Sequence, residues 1–193
     1  MIVLKNYKNS LGMMKIDNKN AYQKKKWLNC RHSLLNPTHS SEPPVPAKQE
    51  QKMRRIDYIV VHCTDTIEGV DWRIDDIRKW HTMPPPKGNG WKDIGYHYLI
   101  YLDGTVVPGR AESEVGAHVK NYNAHSIGIS YVGGKEKGTM RSKDTRTDAQ
   151  KKSMRRLLES LKTRYPNAKI VGHRDLANRN CPCFDAKKEY KDL

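Results

Sequence analysis

Val171-Gly172-His173-Arg174-Asp175-Leu176-Ala177-Asn178-Arg179-Asn180-Cys181-Pro182-Cys183-Phe184-Asp185 is the stretch on which the reading of this chain turns. The short β-prone run from Ala168 to Val171 predicts a strand that delivers His173 to its end, and a polar loop then returns a thiol at Cys181. Neutral imidazole and thiolate are preferred zinc ligands, but two on one loop make a site only if a third arrives from elsewhere in the fold. The candidate is His62, at the end of Tyr58-Ile59-Val60-Val61. Taken alone, either piece is weak, because such spacings occur by chance and a lone His or Cys near a strand end is more often packed or capping. The rest of the chain supplies the context.

At 193 residues the chain has room for one proper core and an appendage. Its net charge of +15 points to an acidic partner. Nucleic acid, an anionic membrane surface and the bacterial wall all qualify, and charge does not choose among them. The basic residues are scattered among acids rather than interleaved with aromatics, so no nucleic-acid partner is expected. Four cysteines, Cys30, Cys63, Cys181 and Cys183, are too few and too irregular for a disulfide framework, which leaves metal binding or reactivity. No apolar run approaches the roughly 18 residues of a membrane span. Met1-Ile2-Val3-Leu4 is cut off by Lys5, so no signal peptide is read and the chain is expected to be cytoplasmic as translated.

Residues 1–52 read as a basic, disordered N-terminal arm and residues 53–193 as the folded domain. The first 50 residues hold nine Lys and Arg against three acids, with Asn-rich and Pro-rich stretches that bury little. Cys30-Arg31-His32 and His39 imitate a metal cluster there but have no flanking core. In the folded part, Tyr58–Val61 suits a central strand covered on both faces. A helix capped by Asp71 and stopped by Pro84-Pro85-Pro86 follows. Ile94–Tyr101 reads as a strand turned by Asp103-Gly104 into Thr105–Val107. Along Ser126–Val132, Ile127, Ile129 and Tyr131 line one face, while Ser126, Gly128 and Ser130 leave the other open to a neighbour or ligand. Thr147-Asp148-Ala149-Gln150 is a capping box, followed by Met154, Leu157, Leu158 and Leu161 at helical spacing. A brief helix is expected over Phe184–Tyr190. Strands and helices alternate without a strict βαβ rhythm, which predicts the α/β class with a mixed sheet flanked by helices.

In this order over about residues 55–187, several segments resemble one family. They are Val61-His62-Cys63-Thr64, Ile77-Arg78-Lys79-Trp80-His81, Trp91-Lys92-Asp93-Ile94-Gly95-Tyr96-His97-Tyr98, Asp103-Gly104-Thr105-Val106, Gly116-Ala117-His118, Tyr122-Asn123, Ser126-Ile127-Gly128-Ile129, Gly133-Gly134 and the His173–Asp185 block. The family is the zinc-dependent N-acetylmuramoyl-L-alanine amidases of the phage T7 lysozyme and peptidoglycan-recognition-protein superfamily. The resemblance does not reach the first fifty residues. It implies a single-domain mixed β-sheet flanked by helices, with His62, His173 and Cys181 as ligands of a catalytic Zn2+. Three protein ligands leave the open position that separates a catalytic zinc from a closed structural one.

The resemblance further implies peptidoglycan as substrate and the amide between N-acetylmuramic acid and L-alanine as the bond cut. It places the catalytic tyrosine at Tyr96 and the substrate groove at His118. The position of the family's catalytic lysine holds Arg179, which cannot deprotonate but can stabilise negative charge. The leaving-group proton must then come from water, Tyr96 or a nearby histidine. Cys183 is the alternative to Cys181 as ligand. His97 is read as packing or support, His81 as a helix-end residue, and His125 as a loop residue without a role. The chain is expected to be monomeric and to act on the bacterial cell wall. The alternative function is a non-catalytic peptidoglycan-binding module with the same fold.

Overall fold

The computed structural model describes residues 54–193; the basic arm, with Cys30, His32 and His39, lies outside the described residues. The central sheet is built on β1 (Tyr58–Cys63), whose run of β-branched residues is buried from Ile59 onward. β1 lies between β5 (Ser126–Tyr131) and β7 (Lys169–Gly172), parallel to both. β3 (Tyr98–Ile100) adds in parallel to β5, and β4 (Val106–Pro108) closes the edge in antiparallel fashion, giving the order β4-β3-β5-β1-β7. Two short strands, β2 (Thr66–Ile67) and β6 (Gly134–Lys135), form a separate parallel pair just beyond β1 and β5. The domain is thus α/β with a mixed sheet.

The two faces of that sheet differ in kind. On one, Ile59, Val61, Cys63, Ile127, Ile129 and Tyr131 pack against Met154, Leu158 and Leu161 of α2 (Asp148–Arg164). The capping box that opens α2 is formed: Gln150 N donates to Thr147 Oγ1 at 3.0 Å and Thr147 N to Gln150 Oε1 at 3.0 Å. Gln150 also donates through Nε2 to the carbonyls of Ile100 and Val132, at 3.1 and 3.0 Å, which ties the first turn of the helix to the sheet. On the other face, register aligns Leu99, Ser130 and His62 in one row and Gly128 with Val60 and Val171 in the next. There Ile77 of α1 (Ile74–Thr82) joins Leu99 and Ile94 in a smaller apolar cluster.

Two expectations shift in detail. The first helix is capped at Arg73, not Asp71, because Asp76 accepts from Arg73 N at 2.9 Å while Asp71 pairs with the Arg73 guanidinium. The strand expected over Ile94–Tyr101 is regular only from Tyr98, since Gly95, Tyr96 and His97 give their carbonyls to the loop amides of Ala117, Arg110 and Gly109.

The C-terminal segment is fastened from beneath. Arg146, 6% exposed, pairs with Asp144 and Glu189, donates to Tyr190 Oη at 2.9 Å and stacks on Phe184 with its guanidinium carbon 3.3 Å from the ring centre. This clamp joins α3 (Ala186–Glu189) to the body of the domain immediately after the loop that carries Cys181.

Candidate metal centre

His62 sits near the end of β1, 1% exposed, and His173 follows β7 directly, so neighbouring parallel strands bring their imidazoles together with ring centres 4.7 Å apart. The loop after β7 closes on itself: Arg174 N donates to the carbonyl of Cys181 at 2.7 Å, and Gly172 N to Asp175 Oδ2 at 2.8 Å. Tyr131 Oη holds the next carbonyl, of Pro182, at 2.7 Å. These bonds return the Cys181 sulfur to within 3.7 Å of His62 Nδ1. One donor atom from each of His62, His173 and Cys181 lies within 4.8 Å of the others, and no further His, Cys, Asp or Glu joins this group among the described residues.

The donors suit a metal. Burial first, then the neighbouring His118 and His173, hold His62 well below the ordinary imidazole pKa. Burial and the Arg179 charge lower His173 as well. Both rings are therefore neutral and have lone pairs to give. A nitrogen–sulfur separation of 3.7 Å fits two ligands sharing one zinc, with bonds of about 2.0 Å to nitrogen and about 2.3 Å to sulfur.

His118 stands against His62 and is one of the residues that line the open cleft. It is 8% exposed, its Nδ1 is 3.0 Å from His62 Nε2, and its Nε2 is 3.3 Å from Ser126 Oγ, which donates in turn to the Tyr122 carbonyl at 2.8 Å. Both ring nitrogens are thus engaged, one of them by His62 and the other by Ser126. The open face of β5 receives this ring: a Cβ on Gly128 would lie 2.6 Å from His118 Cδ2. Asn123 fixes the same loop by accepting from the amides of His118 and Val119, each at 2.9 Å.

Around these residues opens a cleft of about 850 Å3, lined by His62, His81, Trp91, Tyr96, Arg179 and Cys181 among others. Tyr96 lies with its ring centre 5.3 Å from that of His62. Burial, then the charge at Cys181, push its phenol well above the usual range, so it is a proton-bearing donor. Arg179 is exposed at the rim. His81, assigned only a helix-end role from sequence, lines the cleft between Trp91 and Tyr96, with ring centres at 4.9 and 5.3 Å, and accepts from Gly95 N through Nδ1 at 3.0 Å. Its i+4 spacing from Ile77 was the available signal, because it puts His81 on the face of α1 that turns to the sheet. His97 is fully buried, accepting from Gly128 N at 3.0 Å and lying 3.1 Å from the Glu114 carbonyl. Cys183 turns away from the donors, 3.8 Å from the Cys63 sulfur and 2.9 Å from the Asn180 carbonyl.

Fold and donors together define a class: an α/β protein with a central mixed sheet, able to hold one metal ion at an open three-donor site in a broad cleft. Within that class the chain belongs to the N-acetylmuramoyl-L-alanine amidase family, whose description matches residues 52–184. It is 40% identical to the endolysin of Escherichia phage T7 over 141 residues, covering 72% of this chain and 89% of that protein. The endolysin of Klebsiella phage KP32 is 41% identical over the same shares of each chain. Among solved structures, the Ph2119 endolysin from the Thermus scotoductus MAT2119 bacteriophage superposes with a TM-score of 0.55 at 33% identity, covering 66% of this chain and 77% of that one. The protein is an N-acetylmuramoyl-L-alanine amidase that hydrolyses peptidoglycan. Among the described residues, no helix is long and apolar enough to cross a membrane.

Proposed function

We propose that residues 53–193 are a monomeric, zinc-dependent amidase domain that separates N-acetylmuramic acid from L-alanine of the stem peptide, preceded by a basic arm over residues 1–52. The observation that carries the zinc assignment is the convergence of His62, His173 and Cys181, with donor atoms within 4.8 Å of one another. Zinc, when bound, supplies Lewis acidity toward the scissile carbonyl and the attacking water. If Nδ1 of His62 is the ligand, its Nε2 carries the proton and donates to His118 Nδ1; His118 Nε2–H then donates to Ser126 Oγ. One tautomer is thereby fixed from the sheet outward, as supporting partners do for metal-bound imidazoles.

Tyr96 keeps its proton and serves as a hydrogen-bond donor to the developing oxyanion. Arg179 offers fixed positive charge at the rim but no transferable proton. His81, neutral because burial and the charge of Arg110 lower its pKa to about 4, has Nδ1 occupied and presents Nε2–H to the substrate. The departing amine takes its proton from water, Tyr96 or a neighbouring histidine, not from Arg179.

The deciding experiment measures bound zinc together with release of free N-terminal L-alanine from purified walls. One zinc per chain is expected, with release abolished by a chelator and restored by zinc. Full release from metal-free protein would overturn the reading. Arg179→Ala should keep its zinc and lose about a hundredfold in turnover, the scale of one oxyanion-stabilising group; unchanged turnover removes Arg179 from the mechanism.

A further inference from the structure

Beside the cleft lies a second hollow, of about 380 Å3, that neither the metal chemistry nor the family membership explains. Its walls include Trp72, Trp80 and Met140, and its floor passes through Thr64 and Asp65, which also line the cleft. The two cavities therefore adjoin at the residues that follow β1. Trp80 is 36% exposed and Met140 52%. The Trp72 and Trp80 rings meet at 4.6 Å between centres and 57° between planes, forming an angled wall. The indole Nε1 of Trp72 is buried and has no acceptor, one of two such buried side-chain atoms among the described residues. Among the described residues, Asp65 is the only charged one lining the hollow; its side chain is 64% exposed and its carboxylate is 3.1 Å from Lys135 Nζ.

The geometry points to this hollow as a saccharide subsite that takes the neutral glycan arm of the substrate, on the sugar side of the bond that is cut. The inference rests on the amidase activity and goes beyond it. The substrate has two arms of different chemistry, a neutral β-linked pyranose strand and an acidic oligopeptide. An equatorially substituted pyranose presents axial C–H bonds on its face, and these partly positive hydrogens suit the negative face of an indole. The Asp65 carboxylate can accept hydrogen bonds from ring hydroxyls. Among the described residues the hollow is lined by no basic residue, whereas the cleft, which shares Asp65 with it, is also lined by Lys120, Lys135 and Arg179. Charge therefore sorts the arms, with the peptide over the cations and the sugar over the tryptophans. Contacts outside the reacting bond itself hold a polymeric substrate in place.

The test compares wild type with Trp80→Ala on two substrates, wall fragments of several disaccharides and a single N-acetylmuramoyl peptide. Loss of one stacking contact should lower the ratio of the two kcat/KM values about tenfold, with the change carried by KM. Trp80→Tyr should restore most of the ratio. Asp65→Asn, at an exposed side chain that leaves the core untouched, should lower it by about threefold. In parallel, titration with a peptide-free tetramer of β-1,4-linked N-acetylglucosamine should quench tryptophan fluorescence in wild type, with a Kd about tenfold higher in Trp80→Ala. Equal losses on both substrates, or losses that track peptide length rather than glycan length, overturn the proposal. Wild type cleaving neither substrate would count against the amidase activity, and the tetramer titration would still judge the hollow by itself.

Discussion

The two faces of the central sheet are made by alternate residues of the same strands, yet they obey different rules. Behind β1 and β5, Ile59, Val61, Ile127 and Ile129 meet Met154, Leu158 and Leu161, all at 0% exposure, and none of these side chains needs a hydrogen bond. In front, His62, Ser126, Ser130, His97 and His118 are as deeply buried but polar, and four of these five find partners; Ser130 Oγ does not. A buried apolar face stabilises whatever its detailed contents, provided volume is kept. A buried polar face is costly unless it is satisfied, so it is retained for what it positions.

The largest expected difference comes from removing a donor. Cys181→Ser should leave the apolar face intact and lower wall-hydrolysing activity by more than about a hundredfold, the upper limit for loss of a merely supporting group, with zinc content falling in step. Cys183→Ser, 3.8 Å from Cys63 and turned from the donors, should keep its zinc; the reverse result would exchange the two roles. On the other face, Leu158→Ala should cost about 2–5 kcal/mol of stability by opening a cavity, read from denaturant unfolding. The molecules that remain folded should bind zinc as before. A matching loss of metal affinity would mean that the faces are not separable.

Acidification should act on the front face alone. His97 is held to a pKa of about 4, chiefly by burial. Below its ordinary value of about 6.5 the unfolded chain takes up a proton that the folded one refuses. Stability of the metal-free protein should therefore be complete above about pH 6.5 and fall as the pH drops toward 4, by up to about 3 kcal/mol from His97. Equal stability at pH 7 and pH 5 would show that the buried histidines are not neutral. The smallest effect is expected at His118→Phe, which keeps the ring volume but removes the bond to His62 Nε2; zinc affinity should weaken about 10–100-fold, measured by competition with a chelator. Unchanged affinity would leave His118 a packing residue.

Much of this was legible because it is periodic. The alternation in Ser126–Tyr131 separates the faces, the capping box places the start of α2 at Asp148, and the Ala168–Val171 run leads to His173 as expected. The convergence of His62 with His173 and Cys181 was readable through the family resemblance rather than through spacing, since strands β1 and β7 are far apart in the chain. What escaped was non-local. Small residues on β5 announced a close neighbour, but only the folded loop identifies it as the His118 ring over Gly128. Asp71 looked like a cap because Asp is a good one, yet Arg73 draws it aside and Asp76 completes the turn instead. The Trp72–Trp80 wall was invisible for a similar reason, eight residues being just over two helical turns only where the chain between them is wholly helical, and Trp72 precedes the helix.

The closed loop between His173 and Cys181, fastened by the Arg174 amide, carries two of the three donors as a prefabricated pair. The third waits more than a hundred positions upstream. Under the zinc assignment proposed above, a polypeptide that has made β1 but not yet docked β7 would bring at most two donors to one ion, so zinc uptake would report completion of the sheet.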